Sequence, residues 1–172
     1  MREGATLRLL VVLSLLWLFY GCAVSRVMPV GHFPSIDLPL KTIALAPSGG
    51  IFADIIGIEL AGRGYTIVDT GATLAFLTLM QKNPHDLFSP EIMAKLKQHG
   101  IDAVLVVQKT DGKDGLPQTA QLRLHSTAPV ADMGGVDWHN SWIRRGTLES
   151  AQEIAAAMTL EVLAADSVPA QR

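Results

Sequence analysis

The chain has 172 residues, 14 Lys+Arg against 16 Asp+Glu, and a single cysteine. So mild a charge balance excludes a basic nucleic-acid surface, and nothing in it forms a polybasic membrane patch. One cysteine excludes an internal disulfide framework.

The first 21 residues stand apart. Arg2 and Arg8 form a short basic region around Glu3, and Leu9 to Tyr20 is apolar except for Ser14. This is the length of a signal-peptide hydrophobic core and too short for a comfortable transmembrane helix. Small Gly21 then precedes Cys22. Leu18, Phe19, Tyr20, Gly21 and Cys22 together resemble a bacterial lipobox, although Phe19 stands where leucine is usual and Tyr20 is bulky. The resemblance implies cleavage before Cys22 and acylation of its thiol. An unpaired cysteine is otherwise odd in an exported protein. An ordinary secretory signal with an incidental cysteine, or an uncleaved anchor, are the alternatives. Ala23, rather than Asp, follows the cysteine, which by resemblance to enterobacterial sorting implies the outer membrane. Removing 1–21 leaves 12 Lys+Arg against 15 Asp+Glu, a formal −3.

Residues 22–40 contain Pro29, Pro34 and Pro39 without a sustained period, and read as an extended tether. A single α/β domain is expected over 41–165, with a loose tail over 166–172. Its first strand is 42–46, ended by Pro47, with a turn at Ser48, Gly49 and Gly50. Phe52, Ile55, Ile56 and Leu60 recur at helical spacing up to Gly62 and Gly64. A second strand covers 65–68 and a second helix 72–81. Ser89, Pro90 and Glu91 make a helix start, and Gly100 is placed to end that helix.

The run 103–107 is apolar at every position, as in a central strand covered on both faces. Residues 120–126 alternate, with Ala120, Leu122 and Leu124 on one side and Gln121, Arg123 and His125 on the other. Asp132 to Gly135 reads as a turn into a last strand, 136–143. Ser150 and Glu153 form a capping box opening a helix whose core side is Ala151, Ile154, Ala155, Met158 and Val162. The expected order is β-α-β-α-α-β-β-β-α, a mixed sheet of about five strands. The first three are parallel through right-handed crossovers and the last two antiparallel.

These stretches resemble a bacterial envelope family. Lys41 to Pro47 is similar to its opening strand, Ile58 to Asp69 to its first helix and second strand, and Leu96 to Val106 to its third unit. From Lys41 to Val162 the chain resembles curli-secretion-type lipoproteins, lipoprotein activators of penicillin-binding proteins, and the N-terminal domain of the Tol-system propeller protein. The resemblance implies a periplasmic, non-enzymatic adaptor. Curli-type pores also carry membrane hairpins, and a membrane strand needs about 9–11 residues. The loop from Asp111 to Gln118 is too short to hold such a hairpin.

Two places carry candidate recognition chemistry. Ser48, Gly49 and Gly50 lie between strand and helix, where α/β folds bind anions, but they lack the spacing of a nucleotide loop. A crevice near Ser48 to Phe52 is the expected site if a small molecule or peptidoglycan fragment binds; a simple turn is the alternative. In the last strand, Trp138, Asn140 and Trp142 share one face and Arg144 and Arg145 close it. Trp and Arg are enriched at binding hot spots. The alternative is that the tryptophans pack under a helix. If this strand is an edge, partners could pair with it.

His32, His85, His99, His125 and His139 show no metal-ligand spacing, and no serine sits in a nucleophile elbow. No cofactor, metal or catalytic residue is expected. The expected partners are a membrane through the lipid and one or more envelope proteins, without nucleic acid. Self-association is left open.

Overall fold

The computed structural model describes residues 26–30, 40–111, 117–140 and 150–166. The elements are β1 (Arg26–Val30), β2 (Thr42–Leu45), α1 (Gly50–Ala61), β3 (Thr66–Val68), α2 (Thr70–Leu79), α3 (Pro90–Gln98), β4 (Ala103–Asp111), β5 (Pro117–Thr127), β6 (Val130–His139) and α4 (Ala151–Asp166). The six strands form one mixed sheet in the order β1-β6-β5-β4-β2-β3. The three early strands are parallel, β2 lying between β3 and β4, and β5 and β6 extend the sheet antiparallel. None of the described helices is long and apolar enough to cross a membrane.

Local signals explain most element ends. The Asp69 carboxylate accepts the Ala72 amide at 2.7 Å and so starts α2 two residues before the expected position. The Ser89 hydroxyl caps α3 by accepting from the Ile92 amide, and Pro90 occupies its first position. Ser150 and Glu153 exchange the expected reciprocal bonds at the head of α4, at 2.7 and 3.2 Å. Gly100, at φ +78°, ends α3 in the left-handed region that favours glycine.

Two hydrophobic layers sandwich the parallel part of the sheet. On one face α1 and α4 pack Phe52, Ile56, Leu60, Ile154 and Met158 over Ile43, Leu105, Leu122 and Trp138. On the other, α2 and α3 pack Leu77, Ile92, Met93 and Leu96 over Ala44, Ala46 and Val104. Strand β4 therefore serves both cores, as its unbroken apolar run requires.

Two sequence expectations change, and one conditional is answered. A sixth strand exists: Arg26–Val30, inside the segment read as tether, pairs antiparallel with β6. The chain turns between β5 and β6 at Ala128 and Pro129, which are joined by a cis peptide bond, not at Asp132 to Gly135. Those four residues belong to β6, where the register shifts opposite Leu124 and His125, and Gly134 has φ +96°. Finally, β6 is not an edge, because β1 covers it; the edges are β1 and β3. Pro29 has no amide hydrogen, which limits what the β1 edge can add.

Candidate functional site

The strand register sorts side chains onto the two faces of the sheet. Val106, Arg123, Gly135 and Val30 form one rung, Gln108, Gln121, Asp137 and Met28 the next, and Thr110, Thr119, His139 and Arg26 the last. The first two rungs lie on the face that carries α2 and α3, but those helices reach no further than β5. Among the described residues, the core on this face takes no side chain from β5, β6 or β1, and only Phe88 and the edge of α3 reach β5. Met28 is 44% exposed there and Val30 37%. The polar half of the alternation in β5 is thus the lining of an open face.

Where this face meets the α2–α3 connection lies a groove of about 230 Å³, lined by Phe88, Val106, Gln108, Gln121, Arg123 and His125. The Phe88 ring leans on the His125 imidazole, centroids 4.7 Å apart. Arg123 places Nη1 2.7 Å from Asp137 Oδ1 and donates to the Leu122 carbonyl at 2.8 Å. Gly135 makes this possible: a Cβ there would lie 2.8 Å from Arg123 Cδ and 2.9 Å from Nη1. Arg123 therefore crosses the β6 backbone to reach its partner.

The electrostatics follow from these contacts. Burial holds the His125 imidazole below its ordinary pKa and Arg123 pushes the same way, against an opposing pull from Asp132. This favours the neutral imidazole, and the Arg123 charge is matched by Asp137. The groove offers two side-chain amides and two ring faces with little net charge. That chemistry suits recognition by hydrogen bonding and stacking. Among the described residues no three His, Cys, Asp or Glu side chains gather as metal ligands would.

The residues singled out in the sequence fall elsewhere. Pro47–Gly49 is one turn of 3-10 helix in which the Gly49 amide donates to the Ala46 carbonyl. A Cβ on Gly49 would run into Ala53 and come within 3.1 Å of Val107 Cβ, and Phe52 is 4% exposed. The glycine permits close packing on β4, and Ser48, Gly49 and Gly50 do not line the groove. Trp138 is 2% exposed and lies in the core with α1 and α4. Asn140 is half-buried at the end of β6, its amide donating to the Gln118 carbonyl at 2.9 Å. Trp142, Arg144, Arg145 and Cys22 lie outside the described residues. Sequence reading placed Gln121, Arg123 and His125 on the exposed side of β5 but missed that Phe88 and Gln108 join them. Only pairing between distant segments brings these five together.

No family model matches the chain, and no curated protein matches it in sequence. Solved structures do. Two structures of the PelC dodecamer from Paraburkholderia phytofirmans, one of them a point variant, are similar over 85% of this chain. The variant is 15% identical with a TM-score of 0.48 and is covered over 100% of its length; the other is 14% identical with a TM-score of 0.42, covered over 98%. Lipoprotein GNA1162 from Neisseria meningitidis is similar over 75% of this chain and 99% of its own, at 14% identity and a TM-score of 0.48. Scores at this level, with so few identical residues, say nothing about what this chain binds or does.

Proposed function

We propose that this chain is a lipid-anchored, non-enzymatic protein of a bacterial envelope that recognises a partner protein through the open half of its sheet. The observation that carries the reading is Cys22, the sole cysteine, directly behind a hydrophobic core of signal-peptide length. Acylation there would hold a small α/β domain at a membrane, the outer one if Ala23 acts as in enterobacterial sorting. The open face supplies the recognition chemistry: exposed Met28 and Val30 beside an amide-lined groove and a matched Arg–Asp pair. Exposed apolar side chains beside hydrogen-bonding groups are what a protein interface uses. By the sequence resemblance, the chain serves the assembly, secretion or regulation of a cell-envelope machine.

The test is a crosslinked pull-down of the intact lipoprotein from membranes beside a Cys22→Ala form. Recovery of one or a few envelope proteins with the anchored form only is the expected result. No partner with either form, both folded, refutes the adaptor reading.

A second reading has its own observation. The 230 Å³ groove is large enough for a small ring. A small-molecule or peptidoglycan-fragment binder would use this groove in place of the crevice at Ser48 to Phe52. Ligand-induced thermal stabilisation that is lost on Gln121→Ala would support it.

A further inference from the structure

Strand β1 begins at Arg26, four residues beyond Cys22. At about 3.6 Å per fully extended residue, the stretch from Cys22 to Arg26 spans at most roughly 14 Å. The segment read as an extended tether is therefore pinned to the sheet close to its start. Arg26 pairs with His139, and the same rung continues through Thr119 to Thr110. Strand β4 runs from Ala103 toward this rung, and β2, parallel to β4, delivers Ser48 and the start of α1 to the same end. Ile51, in the first turn of α1, is 81% exposed. The opposite end of the sheet carries Asp102, Thr127 and the β5–β6 turn before Val130. Seven residue steps lead from Ala103 to Thr110, which puts the two ends about 24 Å apart at ~3.4 Å per residue.

Resting on the reading of Cys22 as the acylated residue, we propose that the domain stands end-on at the membrane. The Arg26–His139 end lies against the lipid headgroup layer, and the Asp102–Thr127 end points away. The partner of this end is the lipid surface itself, and the occupant follows from chain length: four residues keep Arg26 within about 14 Å of the anchor. The open sheet face then stands upright beside the bilayer, with its groove above the surface and free for a protein.

The test uses the intact, lipidated chain reconstituted in phosphatidylethanolamine–phosphatidylglycerol vesicles that carry a headgroup nitroxide. A fluorophore is attached through His139→Cys in one sample and Val130→Cys in another; both positions are exposed in the fold. Quenching several-fold stronger at position 139 than at position 130 is expected. Inserting eight Gly/Ser residues between Ala23 and Arg26 should level the two. Equal quenching without the insertion, or stronger quenching at position 130, overturns the orientation while leaving the anchor intact. Mass analysis of the same sample separates the two ideas, because a free Cys22 thiol would overturn the anchor and with it the orientation.

Discussion

The Asp102 carboxylate accepts the backbone amides of Lys41 at 2.9 Å and Thr42 at 3.0 Å, and so clips the first residues of the domain to the start of β4. Its other oxygen takes the Lys97 ammonium at 2.7 Å, from the end of α3. The Asp102 main-chain carbonyl accepts both the amide and the hydroxyl of Thr127, from the end of β5. One residue thus ties four segments together at the end of the sheet opposite Arg26.

Asp102→Ala should lose about 2 kcal/mol in urea unfolding, since hydrogen bonds to a charged group contribute roughly 1.5–3 kcal/mol and two amides lose their acceptor. Asp102→Asn should lose less, because one oxygen acceptor remains. Burial raises the carboxyl pKa, but the Lys97 hydrogen bond and the Thr42 and Lys41 amides outweigh it and hold the group below its ordinary 3.8. A depressed folded pKa gives stability that is present above pH ~4 and lost as pH falls through the folded value. The acid limb of the wild-type stability curve should therefore be steeper than that of Asp102→Ala. Parallel limbs would contradict this.

His125 supplies the other pH dependence. Burial, the largest influence, holds its folded pKa below the ordinary 6.5, so the unfolded chain binds the proton more readily. Stability should fall as pH drops below about 6.5 and level off below the folded value. The proton NMR titration of His125 should lie below that of histidine in an unstructured peptide. His125→Gln should flatten the curve in that window and leave the Asp102 limb unchanged.

Gly49→Ala should destabilise by about 1–3 kcal/mol, the usual cost of overpacking. The clash is with Ala53 and Val107, while Gly49 itself has ordinary right-handed geometry, φ −82° and ψ −15°. If the turn were an anion site with space around it, the variant would instead keep its stability and lose binding.

Thr159 is 1% exposed on α4, and its hydroxyl has no hydrogen-bond partner. Thr159→Val keeps the shape and removes an unsatisfied buried group, a change worth about 1 kcal/mol of added stability. A loss on this substitution would show that the hydroxyl is satisfied in solution.

Legibility in the sequence followed locality. Ser89, Ser150 with Glu153, and Gly100 act within a few residues, and each was readable as a helix boundary. The alternation of Ala120, Leu122 and Leu124 gave both the strand and its buried face. Strand β1 was not legible, because Pro29 obscures it and its structure comes from pairing with residues more than a hundred positions away. Gly134 and Gly135 read as a turn because glycine permits one; in the fold Gly134 marks the irregularity in β6 and Gly135 makes room for Arg123. The groove needed Phe88, Gln108 and Gln121 brought together from three elements, and no spacing in one segment encodes that.

The proposed function rests on the chemistry of Cys22. Intact mass analysis of the mature protein from membranes should find a chain that begins at Cys22 and carries diacylglycerol on its thiol. A chain that begins elsewhere, or one that retains residues 1–21 with a free Cys22, would contradict the proposed function.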